Sequence, residues 1–327
     1  MICEKYNQYP EGMAVELKHL RYVITVADEG HITRAAERLG MQQPPLSRQI
    51  KAIEQEIGVQ LFRRKPRGVE LTNAGRAFLD GARSMLTALH STLETTRRTA
   101  RGEQGQITVG FTDGAALHPL VSRIIRTFRE SFPLVAATLA EGFPHDLIER
   151  MRNDQIDVAF IRTALTNSEG LAIDPLLQEG MVVALPSGHK LARRGNGSDV
   201  ALSLKSLAGE TFILYGRAHG ALTMHSDALV GACQMAGFTP RIGHVVSNNL
   251  SRLNFVAAGF GIAVVAASFQ RMKIDGVVYR RLRAHTQPRA PLNLAARRGD
   301  NSAVVQQFLK LAKRTARNFQ SSMEKTP

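Results

Sequence analysis

The residues whose types and spacing are best suited to hydrogen bonding and charge interactions with a partner lie on one face of a short predicted helix. Gln43, Ser47 and Arg48 carry amide, hydroxyl and guanidinium groups, and Lys51 adds an ammonium group about one turn later. Such groups form hydrogen bonds with base edges in a DNA groove and with phosphates. The opposite face is apolar at intervals of four, three and four residues, which is typical of a helix packed on a core. Its residues are Leu46, Ile50, Ile53 and Ile57.

A tight turn joins this helix to a shorter one before it. Gly40 supplies the turn, because glycine enters left-handed backbone regions without steric cost. Pro44 and Pro45 occupy the first turn of the second helix, where a missing N–H costs little. Thr33 is the predicted N-cap of the first helix. The pattern predicts a helix-turn-helix with its recognition helix second, and an ordinary packed helix pair is the alternative.

Two short strand-like segments around a basic Pro/Gly turn follow, at residues 59–72. They predict a β-hairpin wing. Arg63, Arg64 and Arg67 are expected along the DNA backbone or in its minor groove. Arg34, at the start of the first helix of the motif, is placed for a phosphate.

Further helices complete the N-terminal part of the chain. Residues 17–28 predict a helix with Leu20, Ile24 and Ala27 facing inward. After a cap at Thr72, a long helix carries a heptad seam. A dimerising linker helix is favoured over a helix packed on its own domain, because a two-fold dimer would match paired DNA half-sites. The predicted dimerisation residues are Leu79, Leu86, Leu89 and Leu93.

Strand and helix patterns alternate through the rest of the chain, as in α/β proteins. Strands are predicted at residues 107–111, 135–139, 157–161, 181–185, 211–215, 244–246 and 261–266. Helices are predicted at residues 116–130, 145–153, 224–236, 250–258 and 303–318.

Ligands of open α/β sheets bind outside the carboxyl ends of the strands, often at helix N-termini, which favour anions. Turns that fit this rule lie at residues 112–114, 143–145, 162–163 and 216–219, and Ser247 and Asn248 follow another strand. Some residues of these turns also have structural interpretations that do not involve a ligand. Asp113 is favoured as a helix N-cap, and Arg162 and Arg217 are equally interpretable as surface ion-pair partners.

Composition limits the class of protein. The chain has 327 residues and a formal net charge of +14, which suits a polyanionic partner, although a basic enzyme or ribosome-associated protein shares this property. Residues 1–15 are polar and contain no signal peptide, so a cytoplasmic protein is expected. Cys3 and Cys233 are the only cysteines, and neither they nor the scattered histidines have metal-ligand spacing.

The N-terminal motifs resemble those of LysR-type transcriptional regulators. The matching segments are LKHLRY (17–22), RAAERL (34–39), QPPLSRQI (43–50), LFRR (61–64) and LTNAG (71–75), all in register. The C-terminal part is similar more diffusely. The resemblance implies an α+α/β fold with a winged helix-turn-helix, a long linker helix and a two-lobed, periplasmic-binding-protein-like α/β effector domain. It assigns residues 1–15 to an extension, 16–72 to the winged domain, 73–102 to the linker and dimerisation helix, 105–178 and 280–327 to lobe I, and 179–279 to lobe II.

The resemblance also implies a function: sequence-specific transcriptional regulation controlled by a small inducer. In members that control aromatic-compound catabolism, similar turns hold an inducer carboxylate, so an anionic aromatic or unsaturated acid is expected. Pro144 departs from the Ser or Thr often found there, and Asp113 adds a negative charge. The predicted effector-binding residues are Thr112, Asp113, Pro144, Arg162, Arg217, His219 and Ser247, and the predicted DNA-binding residues are Arg34, Gln43, Pro44, Ser47, Arg48, Lys51, Arg63, Arg64 and Arg67.

The expected partners are double-stranded DNA, the inducer, RNA polymerase and further copies of the chain in a homodimer or homotetramer. No cofactor, metal or membrane is expected. The alternatives are a solute-binding protein or an enzyme built on the two-lobed domain. The sequence contains no Gly-x-Ser-x-Gly elbow, Walker-type loop or His-Glu-x-x-His motif, which argues against the enzyme.

Overall fold

The computed structural model describes residues 15–162, 169–192, 201–216, 224–283 and 288–324. The chain divides into two compact units, Met1–Arg97 and Arg98–Pro327. In the described ranges, no helix combines the length and the apolar character that crossing a membrane requires.

The N-terminal unit is a winged helix-turn-helix followed by most of a long helix. Its elements are α1 (Leu17–Glu29), α2 (Ile32–Arg38), α3 (Gln43–Glu56), β1 (Phe62–Lys65), β2 (Gly68–Leu71) and α4 (Asn73–Ala100). Leu46, Ile50 and Ile53 of α3 are buried in its core, as their spacing predicts.

The inward face of α1 differs in part from the prediction. Leu20 is buried as expected, but Val23 and Val26 fill the core, whereas Ile24 and Ala27 remain partly exposed. The reason is that α1 packs on both α2 and α3 through a stripe at intervals of three residues.

The turn of the helix-turn-helix is largely as predicted. Gly40 has a positive φ of 68°, and the prolines lie in the first turn of α3. The prediction that Thr33 caps α2 is wrong. The N-cap is His31, two residues earlier, and the His31 ring accepts the hydrogen bond from the Thr33 backbone N–H.

The wing is anchored to the turn that joins α1 to α2. β1 and β2 pair antiparallel, and the backbone N–H of Val69 donates to the Gly30 carbonyl at 2.9 Å. Gly68 has a φ of 134°, and a Cβ there would overlap the Gly30 carbonyl oxygen, so the close approach requires glycine. At the start of the hairpin, the Glu54 carboxylate accepts the Leu61 and Phe62 N–H groups.

The long helix α4 begins where the sequence predicts. The Thr72 hydroxyl caps it by accepting the Gly75 N–H at 2.9 Å. Leu79 and Ala82 are buried within a single chain, Leu86 and Leu89 are half-buried, and Leu93 is 47% exposed. The unpartnered part of the heptad seam therefore begins at Leu86 rather than at Leu79, because the first turns of α4 complete the core of their own unit.

The C-terminal unit contains two lobes. The described elements of lobe I are β3 (Gln104–Phe111), α5 (Asp113–Ala116), α6 (Pro119–Ser131), β4 (Leu134–Glu141), α7 (Pro144–Arg152), β5 (Val158–Ile161), β6 (Leu171–Glu179), β12 (Ala290–Arg297) and α10 (Ala303–Glu324). Its strands form a five-stranded sheet of order β4-β3-β5-β12-β6, in which β12 runs antiparallel to both neighbours. The aromatic residues Phe128, Phe160 and Phe308 pack together where α6 and α10 cover the sheet.

Lobe II is formed by the chain segment between β6 and β12. Its elements are β7 (Met181–Pro186), β8 (Thr211–Tyr215), α8 (Met224–Met235), β9 (Arg241–Val246), α9 (Asn249–Ala257), β10 (Ala263–Ala266) and β11 (Val277–Arg281). The strands form a sheet of order β10-β7-β11 and the parallel pair β8-β9. The helix and strand order of the described residues confirms the α/β prediction, although β6, β11 and β12 are not among the strands predicted from the sequence pattern.

Candidate DNA-binding surface and effector site

The outward face of α3 carries polar side chains that the fold leaves free. Gln43, Pro44, Arg48 and Lys51 are exposed, and Ser47 is half-buried. Within the described ranges, these side chains form no hydrogen bond or ion pair with the protein. The buried opposite face holds the helix in place, so the polar groups are presented in a fixed register.

The basic residues around α3 fall into two groups. Arg34 donates from Nη2 to the Glu29 carbonyl at 2.7 Å, which fixes its guanidinium at the start of α2. On the wing, Arg63 pairs with Glu70 at 3.0 Å, and Lys65 pairs with it at 2.8 Å. Hydrogen bonds from Arg63 and Lys65 lower the pKa of Glu70 to about 2.

The remaining wing arginines have no such partner. Arg64 and Arg67 are exposed, and no carboxylate in the described part of the chain pairs with either of them. Glu70 therefore neutralises part of the wing, and Arg64 and Arg67 are its free cations.

Asp113 connects the two lobes of the C-terminal unit. Its Oδ1 accepts the Gly114 N–H at 2.6 Å and the Tyr215 hydroxyl at 3.3 Å, while Oδ2 accepts the Asn249 side-chain N–H at 2.8 Å. The prediction that Asp113 is the N-cap of its helix is wrong. The buried Thr112 holds that position, and its hydroxyl accepts the Ala115 N–H at 3.3 Å.

Arg162 also joins the lobes, through a buried ion pair rather than a surface one. Its Nη1 lies 2.8 Å from Glu179 Oε2, in a contact that is not aligned as a hydrogen bond. Its Nε donates to the Gly114 carbonyl at 2.7 Å, and its Nη2 donates to the Ser268 hydroxyl at 3.0 Å. Glu179 in turn accepts the Ser268 backbone N–H. Burial lowers the pKa of Arg162, and Glu179 opposes that shift.

A second buried arginine lies beside this network. Arg252 is 3% exposed, and its guanidinium carbon is 5.9 Å from the ring centres of both Tyr215 and Phe269. Its Nε has no hydrogen-bond partner among the described residues, and neither does Oδ1 of the neighbouring Asn249. Burial lowers the pKa of Arg252 to about 10, so the group is charged at neutral pH.

Sequence reasoning missed Asn249 and Arg252, although a signal was present. Asn249, Arg252, Leu253 and Val256 are the buried residues of α9, at intervals of three, one and three. That spacing marks one helix face. Two polar residues on a face otherwise turned to the core indicate a buried polar site.

The other predicted effector residues have varied positions. Pro144 is partly buried in the first turn of α7, and the preceding Phe143 ring lies 6.1 Å from the Tyr215 ring. Ser247 is exposed after β9, and the following Asn248 caps α9. Arg217 and His219 lie outside the described residues. The structure thus brings the Thr112 turn and Arg162 together, along with Tyr215, Asn249 and Arg252.

Comparison with known proteins gives the family. Residues 17–76 match the family described as bacterial regulatory helix-turn-helix protein, lysR family, and residues 100–317 match the LysR substrate binding domain. The chain belongs to the LysR family of transcriptional regulators.

Relatives of this LysR-type chain match over nearly its full length. It is 33% identical to the HTH-type transcriptional regulator AlsR of Bacillus subtilis (strain 168), covering 91% of this chain and 95% of AlsR. It is also 33% identical to BudR of Raoultella terrigena, covering 91% of this chain and all of BudR. The solved structure of full-length CbnR complexed with its target DNA has a TM-score of 0.78 at 27% identity, covering 92% of this chain and all of CbnR.

The site between the lobes of this LysR substrate-binding domain contains two acidic residues and two arginines. Asp113 and Glu179 carry negative charge, and Arg162 and Arg252 carry positive charge. Arg162 is engaged by Glu179, whereas Arg252 is not within ion-pair distance of any carboxylate in the described ranges. Of the two arginines, Arg252 is therefore the one whose charge has no ion-pair partner among the described residues, and its Nε is free to donate to a ligand.

Proposed function

We propose that this LysR-type regulator binds operator DNA by inserting α3 into the major groove. The observation that carries the proposal is the exposed, unpaired polar face of α3 set against a buried apolar face. Gln43, Ser47, Arg48 and Lys51 would reach bases or phosphates, with Pro44 at the start of the helix. Arg34, Arg63, Arg64 and Arg67 would lie along the backbone or minor groove. The solved complex of CbnR with its target DNA supports this docking by similarity.

Arg48 provides the test of the DNA contact. Arg48→Ala is expected to weaken operator binding by ~1–3 kcal/mol and to relax specificity at one position, because a bidentate base contact is lost. Gel-shift titrations against the operator and single-base variants measure both effects. Arg317→Ala, which removes an exposed arginine of the other unit, is the charge-matched control. Unchanged affinity and specificity for Arg48→Ala would contradict the docking.

We propose that two chains pair through α4. The support is the seam that a single chain leaves partly or fully exposed, at Leu86, Leu89 and Leu93, with Leu79 at the buried end of the same heptad series. Two paired helices would place two copies of α3 on two half-sites. Homotetramer formation and contact with RNA polymerase stay predictions from the family resemblance.

The pairing test uses matched substitutions on opposite faces of α4. Leu86→Glu is expected to dissociate the oligomer and abolish tight binding to a two-half-site operator, because a charge would enter an apolar seam. Ser91→Glu adds the same charge to the exposed opposite face and is expected to leave the mass unchanged. Light scattering that gives the wild-type mass for Leu86→Glu would contradict the proposal.

We propose that a small organic anion binds between the lobes, with an aromatic or unsaturated carboxylate as the expected class. The support is Arg252, which is charged and buried and has a free Nε, next to the free Oδ1 of Asn249. A carboxylate would accept from Arg252, and a donor group on the ligand would satisfy Asn249. The rings of Tyr215, Phe269 and Phe143 supply the apolar walls.

The sequence-predicted residues are then assigned different roles. Thr112, Asp113 and Arg162 would shape the site, while Pro144 and Ser247 would border it. Arg217 and His219 stay candidate ligand contacts. Binding would regulate DNA contacts only if it favours one arrangement of the lobes over another. We infer regulation without catalysis, in the cytoplasm, where the operator DNA is.

Calorimetry tests the ligand class with benzoate-like and muconate-like acids and their neutral amides. The acids are expected to bind, and Arg252→Met is expected to weaken them by about tenfold or more. Arg252→Lys, which keeps the charge, is expected to retain part of the affinity. Equal binding of the amides, or unchanged acid binding by Arg252→Met, would overturn the anionic class.

We propose the domain limits 16–72, 73–102, 105–178 with 280–327, and 179–279, with residues 1–15 as an extension. The order of the strands supports this division, because β6 lies in the first sheet, β7 to β11 lie in the second lobe, and β12 returns to the first sheet. β6 ends at Glu179, one residue beyond the limit of 178, and β11 ends at Arg281, two residues beyond the limit of 279.

A further inference from the structure

A groove lies between α6 and α10 on the outer surface of lobe I. The two helices bury their apolar faces on the sheet, and their polar faces border a cavity of about 590 Å³. Ser122, Arg123 and Arg126 line it from α6, and Arg314, Asn318 and Phe319 line it from α10. Its size is in the range of small-molecule sites, roughly 300–1,000 Å³.

The groove carries uncompensated positive charge. Arg123 and Arg126 are three residues apart on α6, so they share one helix face, and Arg314 faces them from α10. None of the residues that line the groove is acidic. In the part of the chain that the structure describes, no carboxylate forms an ion pair with any of the three arginines. Three guanidinium groups around one cavity repel each other unless an anion lies between them.

The aromatic ring of Phe319 forms one side of the groove and packs against His118. The Arg123 guanidinium carbon lies 5.4 Å from the Phe319 ring centre, which holds the arginine in place by a cation–π contact. The His118 ring packs edge-on against Phe319 at 5.6 Å and accepts the Leu120 N–H. Burial lowers the pKa of His118 to about 4, so this support is uncharged at neutral pH. Arg123, Arg126 and Arg314 are therefore solvent-exposed side chains that line one cavity, and Arg123 is held against the Phe319 ring.

We propose that the groove between α6 and α10 is a second anion-binding site, separate from the site between the lobes, for a small molecule with two or more negative charges. Planar guanidinium groups from two helices can each bind a phosphate or carboxylate through two hydrogen bonds. The Ser122 hydroxyl and Asn318 amide supply further polar contacts. A concave cavity of this size favours a phosphate ester or polycarboxylate over a DNA backbone, which needs an extended basic surface.

The test uses full-length protein with citrate, glucose 6-phosphate and neutral glucose at matched ionic strength. Calorimetry is expected to show binding of at least one of the two anions and none of glucose. Arg123→Gln/Arg126→Gln is expected to weaken that binding by about tenfold or more. Arg129→Gln, an exposed arginine of α6 outside the groove, is expected to change it by less than about twofold.

Further measurements distinguish this site from other anion sites. Arg252→Met is expected to leave anion binding in the groove unchanged. The proposal is overturned if neither anion binds with a Kd below about 1 mM. It is also overturned if Arg129→Gln weakens binding as much as the double variant, or if the double variant loses non-specific DNA affinity without losing anion affinity. Equal unfolding midpoints for the variants show that each change is local.

Discussion

The recognition helix α3 and the inter-lobe network use similar side chains for different purposes. The network consists of Asp113, Arg162, Glu179, Tyr215, Asn249 and Ser268. Arg48 and Lys51 of α3 are exposed and unpaired, and they lie within one stretch of consecutive residues. Arg162 and Asp113 are engaged by groups distant in sequence, such as Ser268, which lies 106 residues from Arg162. The first arrangement leaves side chains available to a partner, and the second uses them to hold two lobes together.

This difference predicts which substitutions reduce DNA binding and which reduce the stability of the fold. Removing an exposed, unpaired side chain leaves the folded protein almost unaffected, because no buried group loses a partner. Removing one member of a buried pair leaves the other charge uncompensated. Substitutions on α3 should therefore affect DNA binding alone, whereas substitutions in the network should affect stability first.

The largest expected effect is at the buried ion pair. Arg162→Met should lower the free energy of unfolding by ~3–5 kcal/mol, because Glu179 stays buried without its counter-charge. Arg162→Met/Glu179→Gln should recover much of the loss, since the amide still accepts from Ser268. Urea unfolding measures both variants. A single variant as stable as the double variant would show that the pair is not the source of the cost.

A smaller effect is expected at Asp113. Asp113→Asn keeps the shape of the side chain but weakens its bonds to Tyr215 and Asn249, and it removes the negative charge nearest to Arg252. We expect a loss of ~1–3 kcal/mol in the free energy of unfolding. Asp275→Asn, at an exposed carboxylate before β11, is the control expected to change little. Equal losses in the free energy of unfolding for the two substitutions would contradict the role of Asp113 in connecting the lobes.

On the DNA-binding side, the wing offers a purely electrostatic test. Arg67→Ala should weaken binding to all sequences alike and reduce the slope of log affinity against log salt by about one, because one phosphate contact is lost. Arg63→Ala should have a smaller effect, since Arg63 already pairs with Glu70. Fluorescence titrations at several salt concentrations measure the slopes. Equal slopes for Arg67→Ala and the wild type would place Arg67 away from the DNA.

The smallest effect at neutral pH concerns His118. Its folded pKa of about 4 lies below the ordinary value of 6.5, so its stabilising contribution is complete above pH 6.5 and is lost as pH falls towards 4. His118→Asn keeps an acceptor for the Leu120 N–H but cannot take up the proton. Its unfolding free energy should therefore fall less steeply between pH 6.5 and 4 than that of the wild type. Parallel pH profiles for the two proteins would contradict the assignment.

Much of the N-terminal unit could be predicted from local patterns. The spacing of Leu46, Ile50 and Ile53 defines the buried face of α3 and, by exclusion, its exposed polar face. Gly40 and Thr72 mark the turn and the start of α4, as their chemistry predicts. These features depend on residues within a few positions of each other, so periodicity and capping are sufficient to reveal them.

Packing decided the finer choices within the same unit. Val23 and Val26, rather than Ile24 and Ala27, fill the core because α1 contacts two helices at once. Leu79 is enclosed by its own chain, a distinction that a heptad pattern cannot make. In lobe I, β6 contains Pro175 and Asp174, which weaken any strand pattern. An edge strand tolerates them, and the pairing register shifts near that point.

The effector site was decided by tertiary structure. The strand-end rule led to Thr112, Asp113 and Arg162, but their partners come from chain segments up to 136 residues away. Whether an arginine forms an ion pair depends on which carboxylate the fold brings within contact distance. Among the described residues, Glu179 pairs with Arg162, and no carboxylate pairs with Arg252. The sequence by itself determined the helix-turn-helix, the linker helix and the α/β order, because local spacing encodes them. Burial and long-range pairing determined which charges remain for a ligand.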